Sequence, residues 1–284
     1  MKLPGIYNRR PCKIALFRVL LLFILSPSPI NFAQVNFPIG SRAAALANAV
    51  VMESGIWSVS HNQAGLGDFH DFSIGFHYEN KYIVPEAALH ALVLTVPVKP
   101  GTFGFSYTYF GYSKYNENKI GIAFGKKLAE TFFAGIQLNY HYVYVLGEYE
   151  NQHALTIEGG VQYEPIPALR IGVHLFNPSR SQLLPLNVDT LKTTLRAGIS
   201  YSPVEKLWMA IETEKSLKDN LRLKFGLEYE IYEGLYLRTG IRTNPVQNTF
   251  GLGFKIKRIN ADAAFSHDPI LGFLPHISFD VKLK

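Results

Sequence analysis

Cysteine is all but missing from this chain. The only one, Cys12, has no possible partner, which excludes a disulfide scaffold. There is no G-x-S-x-G elbow, no P-loop and no HExxH helix, so the enzyme classes those motifs serve are excluded. No stretch holds 18 consecutive apolar residues, so no segment reads as a transmembrane helix. Acidic residues are absent from the first 34 positions, which carry Lys2, Arg9, Arg10, Lys13 and Arg18.

That last absence explains the net charge of +6. Setting those five cations aside leaves 23 of the 28 basic residues against 22 acidic ones. The basic excess therefore belongs to the leader, and no nucleic-acid partner is expected. Residues 1–33 read as a signal peptide: basic residues, the apolar run Val19 to Leu25, Ser26-Pro27-Ser28-Pro29 as a breaker, and Ala33 before a cut. Cys12 would leave with it.

From Phe69 onward the chain alternates with period two. In 191–201, Leu191, Thr193, Leu195, Ala197, Ile199 and Tyr201 share one face, and Lys192, Thr194, Arg196, Gly198 and Ser200 the other. In 221–231 an apolar row from Leu221 to Ile231 opposes Arg222, Lys224, Gly226, Glu228 and Glu230. Side chains of a strand point alternately to its two faces, so each segment has one apolar and one charged side. Fourteen such segments are expected, near 69–79, 87–98, 101–112, 117–126, 130–145, 152–164, 168–177, 189–202, 206–215, 220–232, 234–243, 247–258, 259–267 and 274–284.

Most segments reach the roughly 9–11 residues that cross a bilayer as a tilted strand. Their connections alternate: short after even-numbered segments, longer after most odd-numbered ones, the longest from Asn177 to about Val188 with Pro178 and Pro185. Outer-membrane barrels have short periplasmic turns and longer outer loops. A secreted β-sandwich would alternate too. Segment length favours the barrel, as do tyrosines near segment ends (Tyr112, Tyr140, Tyr142, Tyr144, Tyr201 and Tyr229). The expected fold is all-β: a 14-stranded antiparallel transmembrane β-barrel over 69–284, in the outer membrane, with both termini periplasmic.

Residues 34–68 do not alternate. Dense in Ala and Gly, they read as an internal plug rather than a periplasmic arm, with Ser41 capping a helix through about Glu53. Gly251-Leu252-Gly253 in a strand marks close backbone approach, here to that plug.

Gly40-Ser41-Arg42-Ala43, Trp57 and the stretch HNQAGLG at 61–67 resemble the opening of FadL-like outer-membrane barrels, in particular the PorV/PorQ group linked to type IX secretion. Asn62, Ala64 and Gly65 match that group's Asn-Pro-Ala-Gly turn, with Gln63 in place of proline. Ser266 to Gly272 resembles the hairpin before its last strand. The resemblance implies fourteen strands with an N-terminal hatch. It implies a non-enzymatic accessory to protein secretion or surface attachment, binding secretion-system proteins or cargo. The alternative it implies is a FadL-like channel for hydrophobic small molecules; an outer-membrane lipid hydrolase is a third reading, although no Ser–His pair stands out.

The nine histidines are scattered, so no metal site and no cofactor are expected. The charged inner faces are the most informative feature. With turns centred near 218 and 233, Glu214 faces Arg222, Glu212 faces Lys224 and Glu228 faces Arg238, with Glu230 and Arg242 extending the row. Cross-strand neighbours lie about 4.5–5.5 Å apart. Two roles are open: a polar path through the lumen, or a structural ladder filling it.

Overall fold

The computed structural model describes residues 39–147, 151–183, 191–217, 219–268 and 272–283. The expected leader with Cys12, Pro185 and the Pro269–Leu271 part of the final hairpin lie outside these residues.

Alternation becomes a closed antiparallel barrel in which each strand pairs with its sequence neighbours and the first pairs with the last. The strands are β1 (Ser73–Asn80), β2 (Ala88–Val98), β3 (Gly101–Tyr112), β4 (Tyr115–Ala129), β5 (Phe132–Val145), β6 (Gln152–Ile166) and β7 (Leu169–Phe176). They continue as β8 (Thr194–Val204), β9 (Leu207–Ser216), β10 (Arg222–Tyr232), β11 (Leu235–Arg242), β12 (Gln247–Ile256), β13 (Ile259–Asp268) and β14 (Gly272–Lys282). Closure removes the unpaired sheet edges that would be intolerable in lipid.

Burial is inverted relative to a water-soluble protein. On β10, Phe225, Leu227 and Tyr229 are exposed, whereas Lys224 and Glu228 on the opposite face are buried. Such a continuous apolar exterior suits hydrocarbon and not water. Tyr112, Tyr201 and Tyr229 face outward near their strand ends, at the depth of an interfacial girdle. A direct consequence is that Phe225→Arg, on the outer face near the middle of β10, should cost about 2–4 kcal/mol of stability in lipid. Urea titration of barrels refolded into vesicles would detect this as a lowered midpoint.

The inner end of the chain departs from expectation. The helix ends early: α1 spans only Ser41–Ala45, Gly40 occupies its N-cap, and Ser41 makes no side-chain cap. Instead the Ser41 N–H donates to Ser278 Oγ at 3.0 Å. Ala47 and Asn48 then adopt left-handed conformations, with φ of 53° and 60°. Helix propensity is outcompeted by bonds to the wall: Ala47 N–H donates to Thr249 Oγ1, and Val51 N–H to Glu212 Oε2. The chain thus follows the curved inner surface. It continues through α2 (Ser58–His61) and a 3-10 turn (Gln63–Asp68) before entering β1.

A second departure concerns 189–202. The strand starts at Thr194, and Leu191 is buried in the lumen with Leu183, Val143 and Ala154 instead of continuing the outer apolar row. The Asn177 amide donates to Leu191 O at 2.7 Å, and Thr193 Oγ1 donates to Asn177 O at 2.7 Å, which turns the segment inward.

Candidate functional site

The plug is seated on a belt of small residues that circles the inner wall. A Cβ added to Gly135 would lie 2.2 Å from Gln63 C; one at Gly172 would lie 2.4 Å from Val51 O, and one at Gly240 2.6 Å from Ala47 N. Gly125 meets Gln63 O, Gly160 meets Asn62 Oδ1, and Gly251 meets the Ala45 Cβ. Ala210 and Ala264 hold the corresponding places on β9 and β13. Gly251 is thus a plug contact, whereas Gly253 faces the Arg238 guanidinium instead.

Asn62, Ala64 and Gly65 fold the plug onto itself. Asn62 is fully buried, accepts from Ala64 N–H at 3.2 Å and donates to Val51 O at 2.7 Å. A Cβ at Gly65 would lie 2.3 Å from Glu53 O. Gln63, where the resembled group has proline, donates to Val59 O at 3.1 Å. The His61 imidazole is lowered to about 3 by burial, with Arg196 adding to the effect, and is neutral; it bonds Ile39 O through Nε2 at 2.7 Å.

The charged residues form a clamp that holds this plug. Lys224 Nζ lies 2.9 Å from Glu212 and 2.6 Å from Glu214, and Arg222 lies 2.9 Å from Glu214. Arg238 pairs with Glu228. Glu230 is spent elsewhere, accepting from Gly234 N–H at the β10–β11 turn at 2.9 Å. Arg242 lies opposite Lys224 and Gln247 at the far end of β11.

Sequence reasoning misses the members that complete the clamp. Arg196 grips Glu212 with two bonds, at 2.7 and 3.1 Å, and donates to Asn48 O of the plug. Arg42 grips Glu228 in the same way, at 2.8 and 3.0 Å, and also pairs with Glu53. Asp262 accepts from Arg238 at 2.5 Å. A second buried network, centred on Glu158, gathers Lys119, Gln137, Asn139 and His174. Arg42 and Glu228 stand 186 residues apart, which no local pattern reveals. Arg196 and Glu212, by contrast, lie 16 apart on adjacent strands, and the short β8–β9 turn could have flagged them. His77, Glu79 and His276 also converge, although no spacing in the sequence brings them together.

On the short-turn side of the plug lies a cavity of 530 Å³ with a charged lining that includes Arg42, Glu53, Arg238 and Asp280. The other side differs. Leu89, Ala91 and Val93 of β2 form an apolar inner strip with Phe110, continuous with Ile56, Val59 and Leu66 of the plug. Further round the wall, at β5 and β6, Val143, Ala154, Leu183 and Leu191 form a second apolar patch. Next to that patch the pairing of β6 with β7 is incomplete. The β6–β7 ladder starts at Glu158, so residues 152–157 of β6 extend past the end of the eight-residue β7.

An outer-membrane-type barrel with a wall-seated internal plug and an apolar inner mouth is the class these features define. Within that class, 99% of the chain of the CymD monoaromatic hydrocarbon channel aligns with 89% of this chain, at 11% identity and a TM-score of 0.63. The Ralstonia pickettii toluene transporter TbuX aligns over its full length with 88% of this chain, at 13% identity and a TM-score of 0.63. A Pseudomonas aeruginosa FadL homologue aligns over 98% of its chain and 87% of this one, at 10% identity and a TM-score of 0.59. No family model and no curated protein matches the sequence. The likeness lies in the fold: this chain has the architecture of the FadL-like outer-membrane barrels.

Proposed function

We propose that this protein is an outer-membrane channel for hydrophobic small molecules. In this reading residues 1–33 are a cleaved signal peptide, and the short turns and both termini face the periplasm. The observation that carries it is the apolar inner strip of Leu89, Ala91, Val93 and Phe110 above the plug. A water-filled porin lines its lumen with polar groups. An apolar inner lining is instead a partition site for a hydrophobic solute once the side chains packed over it give way, since Leu89 and Val93 are fully buried at rest. The solute enters at the long-loop end, rests on this strip, and leaves sideways where β6 outruns β7.

The secretion-accessory reading has less support. It draws on motif likeness at 61–67, and there Asn62, Ala64 and Gly65 are occupied in folding the plug. The clamp is a structural ladder in this account, because its charges are matched by one another and by plug carbonyls.

Tryptophan fluorescence tests the channel reading. The chain has two tryptophans, and Trp208→Phe leaves Trp57, which packs in the same cluster as the strip. A brominated fatty acid or alkane is expected to quench Trp57 saturably, and Val93→Lys is expected to abolish the saturable part. Quenching that rises linearly with probe, identical in both proteins, would reject a binding site on the strip.

A further inference from the structure

His77 and Glu79 stand two residues apart on the inner face of β1, and the β1–β14 ladder sets His276 directly across from Glu79. All three are buried, with exposures of 4%, 6% and 7%. His276 Nδ1 lies 3.7 Å from Glu79 Oε2, and one donor atom from each residue falls within 4.8 Å of the others. The two imidazoles stack with their centroids 6.0 Å apart.

An independent observation points to a missing ligand. Among the described residues neither ring nitrogen of His77 forms a hydrogen bond of good geometry, although the Ile277 backbone lies close. Buried polar groups nearly always have partners, and an exception signals that an ion or water belongs there. His276, by contrast, is already oriented. Its Nε2 bonds Ser266 Oγ at 3.2 Å, the outer-partner arrangement typical of metal-ligating histidines, which leaves Nδ1 turned towards Glu79.

We propose that His77, Glu79 and His276 bind a divalent transition-metal ion of the zinc type, with three protein ligands and one position left for water. Two imidazoles and a carboxylate suit zinc better than calcium or magnesium, which favour oxygen donors throughout. Donors about 2.0–2.1 Å from a tetrahedral ion lie about 3.4 Å from one another, so small side-chain rotations complete the site. Because β1 and β14 are the strands that close the barrel, the ion would staple that seam. The inference does not depend on what the channel carries.

The test uses the tag-free full-length barrel in detergent, stripped with a chelator and titrated with Zn²⁺ alone by calorimetry. One equivalent is expected to bind saturably. Binding should weaken at least about tenfold in His77→Ala, Glu79→Gln and His276→Ala, and stay unchanged in the control His153→Ala. Each variant is checked for a heat-modifiable band, the mark of a folded barrel. Zinc X-ray absorption of the wild type provides a readout that needs no variant, with two imidazole ligands expected. A folded wild-type barrel that binds no zinc, a folded His77→Ala/His276→Ala double variant that binds it undiminished, or an absorption spectrum without imidazole scattering would each overturn the proposal.

Discussion

Gly135→Leu is expected to leave the barrel folded in the membrane and to make it leak. Position 135 has no room for a side chain, because even a Cβ there would overlap the backbone of Gln63 and Ala64. The barrel wall is held by its own ladder hydrogen bonds and survives, whereas the plug loses its seat. Overpacking costs about 1–3 kcal/mol, and the neighbour here is main chain that cannot rotate away. At about tenfold per 1.4 kcal/mol, the unseated population should rise roughly 10- to 100-fold. Planar-bilayer recordings should then show a matching rise in open-state occupancy for small ions. Trypsin should also cut at Arg42, which in the wild type is engaged with Glu228 and Glu53. Wild-type conductance together with an uncut plug would show that the belt is not what seats it.

Glu212→Gln should produce the largest loss of stability among single changes in the clamp. Glu212 is fully buried and bonded to Arg196, Lys224 and the Val51 N–H, so it joins three inner strands to the plug. Removing its charge strands Arg196 in a dry interior, and breaking a buried ion pair in this way costs about 3–5 kcal/mol. Adding Arg196→Met should restore part of the loss, because the orphaned cation is then gone as well. Unfolding midpoints in urea, measured on barrels refolded into vesicles, report both effects. If Glu212→Gln matched the wild type, the ladder would be filling space and clamping nothing.

These two predictions also mark where sequence suffices and where it does not. The barrel is legible because a period of two survives along every strand, and residues such as Phe225 and Leu227 can only face lipid if Lys224 and Glu228 face inward. Pairing of Glu214 with Arg222 follows from where the intervening turn is centred. The plug's path is not legible in this way. Ala, Leu and Met favour a helix through Glu53, but Thr249 and Glu212, from distant strands, take the backbone bonds that would have continued it. Glu230 reads as one more rung, yet the β10–β11 turn takes it as a backbone acceptor. The histidines fail for the same reason. Glu79 and His276 become neighbours only when the last strand returns to the first, and no local spacing encodes that closure.

Uptake by intact Gram-negative cells that lack a hydrophobe channel of their own tests the functional account most directly. Their lipopolysaccharide leaflet resists hydrophobic solutes, so a labelled long-chain fatty acid or monoaromatic hydrocarbon enters quickly only through a dedicated route. Cells displaying this barrel are expected to accumulate the label faster than vector controls, and cells displaying a folded Val93→Lys barrel to fall back to the control rate. Uptake equal to the vector control, with the wild-type barrel folded in the outer membrane, would contradict it.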